Sequence, residues 1–285
     1  MINAALVLEG GSLRSVYTSG VLDVFMENDI EFEYVIGVSA GAMNAGNYIA
    51  KHIGRSARIN ILHSNDSNYF GLKQLLLKGS VFNFNYVFYS PIKDLYPYND
   101  EALNSPKQRY IIGATDCETG KAVYFEKNGY DEVVKALQAS CSIPLICKPF
   151  TVDGITCLDG ALSDPICVHK AFSEGYKKVV VINTRDADFK RRENPRMRKA
   201  LFRLFYKKYP HLLKTLHDLP DFYNSLNQEI RDMEEEKKLF VIRPSRKIII
   251  RMVERDARKL MELYMLGRDD AREMLPKLSE YLLDQ

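Results

Sequence analysis

"VIGVSAGAMNAG", residues 35–46, sets one serine between two glycines, behind an apolar run and ahead of a string of small residues. With the preceding "FEY" the apolar run covers 32–38, the length of a buried strand, and the residues after Ser39 suit a helix that packs closely on its neighbours. A GxSxG sequence at such a junction has a steric meaning. The serine occupies a sharp turn in strained backbone geometry, which lifts its hydroxyl above the sheet edge, and the residues two before and two after must be small. Gly37 and Gly41 supply that space, and Ala40, Ala42, Ala45 and Gly46 continue the small face. The N-terminus of the helix also places positive partial charge behind Ser39.

Upstream, "AALVLE" (4–9) reads as a strand ending in Gly10 and Gly11, followed by an amphipathic helical pattern from Val16 to Glu27. Two strand-turn-helix units in succession imply a parallel sheet with helices on its faces. Downstream, "RYIIGATD" and "KAVYFEK" around "CETG" read as a hairpin, "DEVVKALQAS" as a helix, and "FTVDGITCLDG" as a short strand between two Asp-Gly dipeptides. "PICVHKAFSEG" is a helix closed by Gly175, and "KKVVVINT" a buried strand. Residues 55–105 read as helices and irregular loops, with an aromatic stretch from Val81 to Tyr98 that either fills the core or lines an apolar pocket. From about Asp188 the texture changes to long charged helical segments, interrupted by "LFVIRPS" (239–245), a strand returning to the sheet.

The length of 285 residues is near the limit for one hydrophobic core, and 46% apolar with 27% charged residues is the composition of an ordinary globular protein. No apolar run has the length to cross a bilayer, and the N-terminus lacks a basic n-region and an adequate h-region, so the expectation is a cytoplasmic protein. The five cysteines are odd in number and show no CxxC spacing; buried free thiols are expected, not a zinc site. A net charge of +3 does not point to nucleic acid. The charge is uneven, however: between Arg185 and Lys214 the many basic residues face only Asp186, Asp188 and Glu193.

In "LEGGSLRS" (8–15), successive glycines before a helix expose backbone N–H groups that can hold an anion. Neither GxGxxG nor GxxxxGK[ST] is present, so a transient oxyanion held by the amides of Gly10, Gly11 and Ser12 is favoured over a nucleotide phosphate. Arg14 lies near a helix start, where the dipole disfavours a cation; it pairs with a carboxylate, approaches an anionic headgroup, or is solvated. A serine needs a base. His169, His211 or His217 would complete a triad in an α/β-hydrolase, but that fold places its elbow after several strands, whereas here only one precedes the elbow strand. The other candidate is Asp159 in "CLDGALSD", where Gly160 permits a tight turn and burial would raise the carboxyl pKa towards the working pH.

The glycine turn with Arg14, the GxSxG of Gly37–Gly41 and the Asp159–Gly160 pair, in that order, resemble the patatin-like phospholipase family, with its GGGx(R/K)G, GxSxG and DG(A/G) motifs. "ASCSIPLICKPF" is similar to the family's AS-x-x-x-P stretch, and the resemblance covers about residues 4–185. It implies a three-layer α/β/α fold, a Ser39–Asp159 dyad without histidine, hydrolysis of acyl esters of lipids, and neither metal nor cofactor. Ser12 stands in place of the third glycine, and Ser15 in place of the glycine after Arg14.

The expectation is one domain, with residues 1–185 as catalytic core and 186–285 as a helical extension carrying the returning strand near 239–243. The basic, aromatic stretch 190–214 either docks on anionic membrane or packs its apolar stripe on the sheet. A non-hydrolytic lipid-binding regulator and an acyltransferase using the same acyl-enzyme are the competing functions.

Overall fold

The computed structural model describes residues 1–284 apart from residues 90 and 105. The first elements are β1 (Ile2–Leu8), α1 (Val16–Glu27), β2 (Phe32–Val38), α2 (Ala40–Ile49) and α3 (Arg55–Leu62). Four short helices follow: α4 (Leu72–Lys78), α5 (Phe84–Phe88), α6 (Ile92–Leu95) and α7 (Asp100–Asn104). Then come β3 (Arg109–Asp116), β4 (Ala122–Glu126), α8 (Tyr130–Ser140), β5 (Phe150–Val152), β6 (Ile155–Asp159), α9 (Val168–Ser173) and β7 (Val179–Ile182). The chain closes with α10 (Arg196–Phe205), α11 (Pro210–Glu235), β8 (Phe240–Ile242) and α12 (Ala257–Leu283). Gly54, in the left-handed conformation with its N–H on Asp23 Oδ1, redirects the chain after α2, which ends a few residues before the His52 expected from the sequence.

Strands β3, β2, β1, β7 and β8 run parallel in that order, and β4, β5 and β6 add antiparallel pairing at the β3 end. The sheet alternates cleanly between its two faces. Ala4, Leu6, Leu8, Ile112 and Val180 join the core beneath α1, α2, α8 and α12, whereas Ala5, Val7, Ile36, Ile111 and Val181 join the core beneath α9 and α11. The chain is therefore a three-layer α/β/α sandwich with a mostly parallel sheet. Burial of both faces explains why β1 and β7 are continuous apolar runs. Each fully buried leucine, such as Leu6, contributes about 2 kcal/mol. A third core lies at the antiparallel end of the sheet, where Phe202 of α10 and Leu212, Leu216 and Leu219 of α11 cover Leu158 of β6 and Leu162.

The pairing of β3 positions the site. β4 pairs with residues 111–115, so it takes one edge, and β2, which pairs with 109–113, must take the other. β6 pairs with Ala114 and Thr115, already matched by β4, and therefore shares the β2 edge. Val38 lies opposite Gly113 and Asp159 opposite Ala114. β2 and β6, running in opposite directions, thus meet end to end, and the residues at their ends face each other.

Candidate active site

Ser39 is the junction residue between β2 and α2, with φ 54° and ψ −130°, a conformation that L-residues rarely adopt. Close packing enforces it. A Cβ on Gly37 would stand 2.7 Å from the Ala42 nitrogen, and one on Gly41 would stand 2.5 Å from the Leu8 carbonyl oxygen. The turn is held from outside by Ser140, whose hydroxyl accepts from Ser39 N–H at 2.7 Å and donates to the Gly113 carbonyl at 2.6 Å.

Ser39 Oγ donates to Asp159 Oδ2 at 2.7 Å, with the two residues 6% and 5% exposed. Asp159 is fixed at every polar atom: its N–H donates to Ser142 O, its carbonyl accepts from Thr115 Oγ1 at 2.8 Å, and its Oδ1 accepts from Ala161 N–H at 2.9 Å. Gly160 is required beside it, because a Cβ there would stand 2.3 Å from the Gly113 carbonyl oxygen. Burial pushes the Asp159 carboxyl up to about 6, against the opposing pull of the Ser39 hydroxyl, the Ala161 N–H and the Arg191 charge. At neutral pH the group is an anion of unusual basicity.

The glycine turn lies against the same serine. A Cβ on Gly10 would come within 3.2 Å of the Ser39 Cβ, and one on Gly11 within 2.8 Å of Thr184 Oγ1. Among the described residues, the N–H groups of Gly10, Gly11 and Ser12 have no protein acceptor. Ser12 has φ 50°, the left-handed geometry for which glycine is the usual choice, and its Oγ donates to the Met252 carbonyl at 2.8 Å. Arg14 sits in the 3₁₀ turn that follows; burial, reinforced by the charge of Arg185, lowers its pKa to about 10, and its Nε has no hydrogen-bond partner.

Two cavities meet at Ser39. One is a narrow apolar slot of about 70 Å³, with Met43, Ile59, Phe82, Phe84, Val87 and Phe88 in its wall. The aromatic stretch of the sequence thus supplies both core and cavity lining. The other is a wider cleft of about 360 Å³ beyond Asp159, where Arg14, Arg185, Arg191 and Arg198 converge with Tyr223 and Met252. Among the described residues, no histidine lines either cavity. His169 meets Glu229, His217 meets Asp218, and His52 accepts from Asn99 N–H.

Ser140, Thr115 and Glu9 were not singled out in the sequence. Ser140 lies in the quoted "ASCSIP" stretch, which was a usable signal. Glu9 gave none: its carboxylate accepts from Thr184 N–H, Thr184 Oγ1 and Tyr223 Oη, so its role depends on a strand and a helix far along the chain. All five cysteines are buried and free. Among the described residues, no three His, Cys, Asp or Glu side chains are grouped to hold a metal.

The chain is an α/β/α protein with a buried serine at a sharp turn from strand to helix. The sequence model described as patatin-like phospholipase matches residues 6–172, and the chain belongs to that family. Residues 209–283 match a second family, described as a domain of unknown function, DUF6363. The uncharacterized protein YjjU of Escherichia coli K12 is 28% identical over 186 residues, covering 63% of this chain and 51% of that protein. The chain thus matches about half the length of this curated relative. Among solved structures, VipD from Legionella pneumophila aligns at a TM-score of 0.45 and 13% identity, covering 96% of this chain and 67% of that one.

Proposed function

We propose that the protein is a serine acyl hydrolase of lipid esters that works through Ser39 and Asp159. The observation that carries this reading is the 2.7 Å hydrogen bond from Ser39 Oγ to an aspartate whose burial has raised its pKa to about 6. In the reaction, Ser39 Oγ attacks the ester carbonyl carbon while its proton passes to Asp159 Oδ2. The resulting oxyanion is held by the unpaired amides of Gly10, Gly11 and Ser12. Collapse breaks the bond to the alcohol, which leaves with the proton from Asp159. Water then attacks the acyl-enzyme, gives its proton to Asp159, and the acid departs as Ser39 recovers its hydrogen.

The apolar slot would take the acyl chain and the wider cleft the alcohol portion. Against a purely binding role stands the direction of the Ser12 hydroxyl, which is engaged by Met252 and leaves the Ser12 amide free. The whole chain acts as one unit in this reading, since Tyr223 and Met252 from beyond residue 185 line the cleft. Helix α10 carries Met197, Leu204 and Phe205 exposed among Arg196, Lys199 and Arg203, a face suited to anionic membrane. Among the described residues, no helix is long and apolar enough to cross one.

Hydrolysis of p-nitrophenyl butyrate and labelling by a fluorophosphonate test the assignment. Ser39→Ala and Asp159→Asn should each cost at least about 10³-fold in kcat, while five single His→Ala variants should keep most of the activity. A folded protein with neither turnover nor labelling would refute it. Acyl transfer to an added alcohol, in place of release of free acid, would turn the reading towards a transferase.

A further inference from the structure

The wall of the wider cleft is unusual in its charge balance. Arg14, Arg185, Arg191, Arg192 and Arg198 line it, and among the described residues none of its three carboxylates forms an ion pair with them. Glu9 accepts from Thr184 and Tyr223, Asp159 from Ser39 and Ala161, and Glu193 pairs with Lys199. The guanidinium groups rest instead on aromatic rings: Arg185 at 4.0 Å from the centre of Phe189, Arg191 at 5.6 Å from Tyr223 and Arg198 at 5.3 Å from Phe202. A guanidinium held over a ring face restricts the arginine without using its N–H donors, which stay available to an oxyanion. The backbone at Arg191 is also clamped, its N–H donating to Asn224 Oδ1 at 2.8 Å and its carbonyl accepting from Asn224 Nδ2 at 3.0 Å.

Position completes the argument. An ester whose acyl chain enters the apolar slot and whose carbonyl lies at Ser39 must send its alcohol portion past Asp159 into this cleft. Even with the charges of Glu9 and Asp159 beside them, these preoriented cations outnumber the cleft's carboxylates, and the excess favours a phosphate there and repels a quaternary ammonium.

We propose that Arg185 and Arg191, with Arg198 at the rim, form a subsite for the phosphate of an acidic glycerophospholipid, so that the protein prefers lipids with net negative headgroups over zwitterionic ones. The proposal rests on the hydrolase reading of Ser39 and Asp159 for its geometry, and its test does not depend on turnover.

The Ser39→Ala protein is titrated calorimetrically, at low ionic strength, with dihexanoyl phosphatidylglycerol, dihexanoyl phosphatidylcholine and inorganic phosphate, the lipids below their micelle concentrations. Phosphatidylglycerol should bind at least about tenfold more tightly than phosphatidylcholine. Adding Arg185→Gln and Arg191→Gln should bring that ratio close to one. Equal affinities, or a preference that survives both substitutions, would overturn the proposal. Inorganic phosphate binding as tightly as phosphatidylglycerol would make this a free-phosphate site and overturn the lipid assignment. Should the double variant not fold, Arg198→Gln at the exposed rim must still reduce the ratio, by about threefold; an unchanged ratio counts against the subsite. A preference without any turnover by the wild-type protein would sink the hydrolase reading alone, and turnover without a preference would sink the subsite alone.

Discussion

The hydroxyl of Ser140 is shared between the Ser39 N–H and the Gly113 carbonyl, at 2.7 and 2.6 Å, so a side chain at the end of α8 holds the elbow to β3. Ser140 has no exposure to solvent. Ser140→Ala would leave a buried donor and a buried acceptor unpaired, at a cost of about 1–3 kcal/mol. It would also release the strained φ of Ser39. Urea unfolding should report the stability loss, and ester turnover should fall by about 10- to 100-fold in kcat with KM little changed. A fully stable variant with wild-type kcat would show that the elbow does not need this support.

The pH dependence follows from the Asp159 carboxyl, whose pKa is raised from 3.8 to about 6 by burial. In the proposed reaction the carboxylate is the base and must be ionised, so kcat/KM should rise with pH through about 6 and then level off. The stability effect has the opposite sense. A carboxyl with a raised native pKa holds its proton more tightly when folded, so its stabilising contribution is complete below about pH 3.8 and is lost as pH climbs through about 6. Above that the buried anion costs about 3 kcal/mol. Asp159→Asn should therefore be more stable than wild type by about 2 kcal/mol at pH 8 and no more stable at pH 4. Comparing the two proteins cancels the other raised carboxyls, Asp23 and Asp164, which both contain. A difference in urea midpoint that does not grow with pH would contradict this.

Ser12 sets two small effects against each other. Its left-handed φ of 50° costs about 1 kcal/mol, and its hydrogen bond to the Met252 carbonyl returns about as much. Ser12→Gly removes both and should leave the melting temperature nearly unchanged. Ser12→Ala keeps the strain and loses the bond, so it should be the less stable variant by about 1 kcal/mol. Thermal unfolding of the pair gives the order, and alanine at or above glycine would mean that the Met252 bond contributes nothing.

Much of this architecture was legible because it is local. The strand-turn-helix units at 4–27 and 32–49 declare themselves through apolar runs and glycines, and the turn at Asp153–Gly154, with φ 51° and 80°, is the one its dipeptide announced. An isolated Asp-Gly reads as an ordinary turn, and Asp159 stood out only through its order after the glycine turn and the GxSxG. Glu9 and the Asn224 clamp on Arg191 were not readable, since each joins parts of the chain whose adjacency only the folded sheet creates. The split of residues 196–209 was equally hidden. Phe202, Tyr206 and Tyr209 are buried while Met197, Leu204 and Phe205 are not, and the buried side shares a cluster with α11 and with Leu158 of β6.

The crossing of α1 and α12 is the long-range contact with the sharpest steric demand. A Cβ on Gly20 would stand 2.2 Å from the Tyr264 carbonyl oxygen, and one on Gly267 would stand 2.2 Å from that of Tyr17. Each clash is with backbone, so no side chain can turn aside to relieve it. The helices are also tied at Tyr17 Oη to Asp270 and Tyr264 Oη to Asp23, at 2.9 and 2.8 Å, which prevents them from sliding apart. Alanine is the better helix former by about 1 kcal/mol, but overpacking of this kind costs about 3 kcal/mol or more. Gly20→Ala and Gly267→Ala should therefore both destabilise the protein, by about 2 kcal/mol net. The double variant should cost less than the sum, since one displacement of α12 relieves both clashes. Urea unfolding of the three variants checks this: a stabilised Gly267→Ala protein would mean that the two helices do not meet backbone to backbone.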